Sequence, residues 1–137
     1  MSWAENYIGI PFGKNGNTRE SLDCWRLVVL VYHEKLGVEL PDYSGIFVDD
    51  SLTSLIKVTR KIREEKQKWE CVDKPQTYDV ILLRTGNMVY HTGIVIDQKR
   101  MLHTMEGINS TIEEYKSLQW KDKVEGFYHY GKQTNHS

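Results

Sequence analysis

Apolar residues change their rhythm once along this chain. Leu22, Trp25, Val28, Val29, Tyr32 and Leu36 recur at three- and four-residue steps. That spacing predicts an amphipathic helix. It should start near Ser21 to Asp23, which suit an N-cap, and stop at Gly37, which tolerates a left-handed terminus. Leu30 and Val31 make the opposite side apolar too, so this helix is expected to be central. A shorter helix is predicted over Trp3 to Tyr7, followed by turns at Gly9 to Gly13 and Asn15 to Asn17. Pro41 to Val48 reads as a loop. Asp49, Asp50 and Ser51 then offer caps for a second helix to about Lys68, with Leu52, Leu55, Ile56, Val58 and Ile62 inside. The mixed-sign run from Arg60 to Lys68 is its solvated face.

After Pro75 the period shortens. Tyr78 to Arg84, His91 to Asp97, Arg100 to Thr104 and Val124 to Tyr130 read as strands. Thr85-Gly86-Asn87 and Asp97-Gln98-Lys99 are hairpin turns. Helices followed by a run of strands make the α+β pattern. One domain over residues 1–130 is expected, with 131–137 a frayed tail.

Composition narrows the function classes. The 137 residues are 39% hydrophobic and 27% charged, with a net charge of -1. No global basic field exists to hold nucleic acid. The longest apolar run, Leu27 to Tyr32, falls far short of the roughly 20 residues of a membrane span. Met1 to Asn6 lacks a basic-then-apolar leader, so a reducing cytoplasm with both thiols free is the expectation. Cys24 and Cys71 are the two cysteines, too few for a disulfide framework and without a CxxC metal spacing.

Cys24 stands at the first turn of the central helix, where the free N–H groups and the helix dipole favour thiolate. A thiolate nucleophile needs an imidazole, and the imidazole needs a third group to set its tautomer. His91 and His103 lie on consecutive predicted strands and supply both. Zinc binding by these three residues has no close-spaced ligand pair behind it, and no metal or cofactor is expected. Cys71 reads as structural, in a loop or at a strand entry. Asp23 and Asp79 read as a cap and a turn anchor. For both histidines to face Cys24, paired residues must keep an even register, with Gly93 opposite His103. That requires an odd-length turn near Asp97 to Lys99, or a bulge, and Gly93 should leave open space between the rings.

Four short motifs in order resemble the NlpC/P60 cysteine peptidases. They are Tyr7-Ile8-Gly9-Ile10-Pro11-Phe12 with Asp23-Cys24-Trp25, then Pro75 to Val80, His91-Thr92-Gly93-Ile94 and Met101 to Thr104. The ending Gly126 to Tyr130 is similar to that of the phage tail-assembly branch. The resemblance implies a papain-like core with the nucleophile helix on an antiparallel sheet. It implies Cys24 as nucleophile, His91 as base and His103 as orienting residue, with the Cys24 N–H as an oxyanion donor. The implied substrate is the peptidoglycan stem peptide at a γ-D-glutamyl–diamino-acid amide, with phage tail-tip proteins as partners. The implied location is the host cytoplasm during assembly or the virion tail tip. Asp23, Arg26 and Phe12 are the positions set against the substrate. Arg26 replaces a small residue, Phe12 a frequent Tyr, and Tyr78 the usual Gly before Asp79. Arg26 reads either as a fork for a substrate carboxylate or as an exposed helix residue. A non-catalytic tail-tip subunit or a thioester acyltransferase are the rival functions.

Overall fold

The computed structural model describes residues 3–13, 17–18, 21–40, 60, 64, 69–85, 88–105 and 107–130. The first element is a tight 3-10 turn, Trp3–Tyr7, that buries Ala4 and Tyr7. Two short strands, β1 (Asn17–Thr18) and β2 (Ser21–Leu22), pair antiparallel and lead into helix α1 (Cys24–Val31). Asp23 caps the helix: its carboxylate accepts from the Arg26 N–H at 2.8 Å, satisfying one of the orphan donors of the first turn. Beyond Val31 the helix widens into a π turn, Tyr32–Leu36, and ends at Gly37 with φ 67°. The predicted helix is therefore present, with its start and stop as read.

Its buried arc is wider than the predicted one. Leu22, Val28 and Tyr32 of the predicted face are buried and Trp25, Val29 and Leu36 are half-buried against the core, while Cys24, Leu27 and Val31 are buried as well. The N-terminal turn packs on α1 with the sheet, through Ala4, Tyr7 and Ile10. A helix covered on more than one side has an apolar surface too broad to reveal a single phase.

The remaining strands are β3 (Glu70–Val72), β4 (Val80–Thr85), β5 (Met88–Val95), β6 (Arg100–Met105), β7 (Ile108–Glu114) and β8 (Val124–His129). They form one sheet in the order β3-β8-β4-β5-β6-β7, every neighbour antiparallel. The architecture is α+β, one helix packed on an antiparallel sheet. β3 and β7, the two sheet edges, are absent from the sequence reading. Cys71 lies on β3 and is exposed. The predicted second helix and the loop before it fall outside the described residues apart from Arg60 and Glu64, both helical and exposed. The tail 131–137 lies outside them too. Among the described residues no helix is long and apolar enough to cross a membrane.

Strand alternation divides the core. Val80, Leu82, Ile94 and Leu102 pack toward α1. Ile81, Leu83, Val95 and Met101 pack on the other face with Tyr115 and Trp120. Full burial of each such side chain stabilises the fold by roughly 1.5–3 kcal/mol. The outer edge of β7 is covered by the N-terminal segment: Gly9 N–H donates to the Ser110 carbonyl at 2.8 Å and Ser110 N–H to the Ile10 carbonyl at 2.9 Å. The Ser110 hydroxyl also donates to the Tyr7 carbonyl at 2.5 Å and accepts from the Ile10 N–H at 2.8 Å.

Tyr78 has φ 77°, the left-handed region that favours glycine. Holding a side-chain residue there costs about 1–2 kcal/mol. Three contacts hold Tyr78 in place. Its N–H donates to the Val95 carbonyl at 2.9 Å, its carbonyl accepts from the Tyr32 hydroxyl at 2.5 Å, and its ring packs on Trp3 at 4.7 Å between centroids.

Candidate functional site

The turn between β5 and β6 sets the site's register. Ile94 pairs with Leu102 and Val95 with Met101. The Ile96 N–H reaches the Arg100 carbonyl at 2.9 Å, leaving the three-residue turn Asp97 to Lys99. Asp97 holds that turn by accepting from the N–H groups of Lys99 and Arg100 at 2.9 and 2.8 Å. The pairing gives the even register with an odd turn, so His91 and His103 share a face. It is the face of Leu83, Val95 and Met101, whereas Ile94 and Leu102 turn toward α1, which carries Cys24. Extended toward β5's start, it sets Gly93 across from His103 and puts His91 on the same face. The space between is not open: a Cβ on Gly93 would lie 3.1 Å from Ile81 Cγ2, 3.2 Å from the Leu102 oxygen and 3.3 Å from His103 Cβ. Glycine is needed here for close approach.

The two imidazoles meet, His91 Nε2 lying 2.9 Å from His103 Nδ1. Both residues are buried. The contact continues outward, with His103 Nε2 3.1 Å from Glu113 Oε1 and the Trp120 indole N–H donating to that same oxygen at 2.5 Å. Trp120 also stacks on His91, with centroids 5.7 Å apart and planes at 23°, and meets His103 edge-on at 5.3 Å. Burial pushes the His91 imidazole down to about 3, and the neighbouring His103 adds to it. Burial lowers His103 too, opposed in part by the Glu113 carboxylate. Both rings are neutral near pH 7.

Cys24 enters from α1 where β5 leaves β6. Its sulfur is approached by the Thr92 backbone N–H and hydroxyl and by the Trp25 N–H, all of which favour thiolate. Thr92 is the residue next to His91, and its buried hydroxyl has no hydrogen bond of full geometry. These groups lose to burial and, second, to the Asp23 carboxylate, which push the thiol up to about 11. The helix-start argument for a low thiol pKa is thereby corrected: in the free protein Cys24 is a neutral thiol, 5% exposed.

Asp23 is a buried cap, and Arg26 lies beside it with Nη1 3.6 Å from Asp23 Oδ2. Arg26 is only 3% exposed, so the exposed-helix reading fails. Phe12 is half-buried and bridges to Leu22 just ahead of the helix. Asp79 anchors its turn, accepting from the Gln76 N–H at 2.8 Å, and also contacts His129 Nδ1 at 2.8 Å. Glu113, Trp120 and Thr92 were missed from sequence. Only a correct assignment of β7 would have flagged Glu113, two residues from Thr111, the partner of His103. Among the described residues no group of three or more His, Cys, Asp or Glu is arranged to hold a metal ion.

Comparison with known proteins follows the same outline. The chain is 23% identical over 125 residues to the murein DD-endopeptidase MepS/murein LD-carboxypeptidase of Escherichia coli K12, covering 90% of this chain and 57% of that one. It is 26% identical over 134 residues to a gamma-DL-glutamyl hydrolase of Bacillus subtilis, covering 90% and 27%. It thus spans little more than half the length of the first relative and about a quarter of the second. A solved Staphylococcus aureus structure, similar to lipoprotein and of the NLP/P60 family, superposes with a TM-score of 0.65 at 22% identity, covering 93% of this chain and 38% of that one. The model of the NlpC/P60 family matches residues 9–129, nearly the whole chain, and the protein belongs to that family.

Proposed function

We propose that this chain is a cysteine peptidase that hydrolyses an amide of the peptidoglycan stem peptide. The observation that carries the reading is the His91–His103 contact of 2.9 Å, on the strand whose next residue, Thr92, approaches the Cys24 sulfur. The relatives named for murein and γ-glutamyl hydrolysis support the substrate class.

In this reading the resting pair is neutral. His91 takes the thiol proton as the sulfur attacks the carbonyl, so no free thiolate accumulates. His103 accepts from the His91 ring and steadies the imidazolium. The tetrahedral oxyanion is met by the Cys24 backbone N–H at the helix start. His91 then gives its proton to the leaving amine, and water resolves the thioester. The γ-D-glutamyl–diamino-acid bond is the proposed target, and Asp23, Arg26 and Phe12 border the substrate. A phage setting, in the host cytoplasm or at the tail tip with tail-tip partners, rests on the motif resemblance.

The rival, a non-catalytic subunit that keeps the fold, draws on the buried neutral thiol. Incubation of purified protein with stem-peptide fragments separates the two. Release of a new amine by the parent but not by Cys24→Ala supports the peptidase. No release from any stem peptide by folded parent protein overturns it.

A further inference from the structure

We propose that Glu113 is a positioning residue of this site, its carboxylate deciding which nitrogens of His103 and His91 carry protons. The inference rests on the peptidase reading for its role in turnover, but its geometry stands apart from it.

The argument is one of donors and acceptors. An indole N–H can only donate, so the Glu113 Oε1 that meets Trp120 at 2.5 Å is an acceptor. The same oxygen faces His103 Nε2 at 3.1 Å, so that nitrogen carries a hydrogen. A neutral imidazole has one N–H, which leaves His103 Nδ1 bare. Nδ1 must then accept from His91 Nε2, 2.9 Å away. His91's single proton is used there, and its Nδ1 becomes the ring's basic nitrogen. Reverse the first step and every later one reverses: a proton on His103 Nδ1 would force His91 to carry its own on Nδ1, and the base would be lost. A carboxylate on a neighbouring strand thus sets the state of a ring two contacts away, as partners of ligand histidines do elsewhere.

Trp120 gives the arrangement its direction. It donates to the acceptor and stacks on His91, so it braces both ends of the chain. Glu113 sits two residues along β7 from Thr111, the partner of His103, a diagonal within reach of a long side chain.

The test uses the full chain labelled with ¹⁵N-histidine, read by long-range proton–nitrogen correlation, alongside kcat and KM on a stem peptide. The parent should show both histidines protonated at Nε2 and bare at Nδ1. Glu113→Ala should scramble the His103 pattern and lower kcat by roughly 10–100-fold with KM little changed. Glu113→Gln should recover most of that loss, because the Trp120 N–H keeps the amide oxygen toward His103. Adding Trp120→Phe to Glu113→Gln should lose it again, since the amide is then free to turn its NH₂ inward. That double variant also reads the proposal if Glu113→Ala does not fold. Parent-like ring-nitrogen signals in both Glu113→Ala and the double variant overturn the inference, even where hydrolysis is intact. A parent that shows the predicted tautomers, with the predicted response to substitution, but cleaves no stem peptide leaves the inference standing and ends the peptidase reading.

Discussion

Among the described residues the sheet holds two imidazole–carboxylate pairs of the same chemistry and opposite construction. In His103–Glu113 the ring is fully buried and the carboxylate side chain is 31% exposed. In His129–Asp79 the carboxylate is buried at 3% and the ring is 25% exposed. His103 uses both nitrogens, one toward Glu113 and one toward His91. In the second pair Asp79 is the hub, taking the Gln76 N–H and His129 together to fix the turn before β4. In the first pair the carboxylate serves the ring; in the second the ring serves the carboxylate. A close His–acid distance therefore says little about chemistry. What the ring's other nitrogen touches is the informative observation.

The comparison breaks most sharply at the proposed nucleophile, Cys24. Cys24→Ala and His91→Ala should each abolish acyl-enzyme formation, whereas His129→Ala should leave turnover per folded molecule near the parent value. Mass spectrometry of the trapped thioester and turnover of a stem peptide check both, and full activity in folded His91→Ala would exclude the ring as base. His103→Ala comes next. Loss of an orienting group can cost on the order of 10⁴ in rate, and members of such a unit do not act additively. His103→Asn and His103→Gln should retain more, because an amide oxygen still accepts from His91. Full turnover by His103→Ala would reduce this pair to the status of the other.

A smaller effect concerns acid stability. The unfolded chain takes up a proton at His91 near its ordinary 6.5, while the native site refuses it until about 3. Stability from this group is complete above about 6.5 and is lost as pH falls toward 3, at roughly 1.4 kcal/mol for each pH unit of that window. His103 acts in the same direction. The thiol gives the opposite limb: stability is complete below its ordinary 9.0 and is lost as pH rises toward about 11. Urea midpoints between pH 4 and 10 should trace a dome, and a folded His91→Asn variant should flatten only its acid side. The smallest effect is His129→Ala, which strips a partner from buried Asp79 and should cost about 1–3 kcal/mol in urea unfolding without moving kcat. A fall in kcat with unchanged stability would contradict the assignment of that pair to the fold.

Legibility from sequence followed the reach of each signal. Local signals read well: Asp23 and Gly37 bound α1 and its π turn because caps are chemistry of one or two residues. The hairpin register was legible too, since face alternation converts a shared face into a turn of known parity. β7 was not, because Ile108 to Glu114 alternates weakly and carries two adjacent acids. With it went Glu113, whose role depends on a diagonal neighbour across a strand pair. The thiol's state was misjudged for a different reason. A helix terminus is visible in sequence, but the burial that outweighs it is a sum over the whole fold.

The lock between Ser110 and the first turn carries a consequence for how the chain acquires its structure. The Ser110 hydroxyl joins backbone groups of Tyr7 and Ile10, 103 and 100 positions away. Closing a loop of that length is entropically slow, and topologies rich in such closures fold slowly. On a ribosome, residue 7 waits for residue 110 to emerge, and Cys24 waits for Thr92. The α1 segment is thus synthesised early and left without its strand partners until most of the sheet exists. A nascent chain therefore holds the Cys24 thiol without its Thr92 neighbour until residue 92 has emerged.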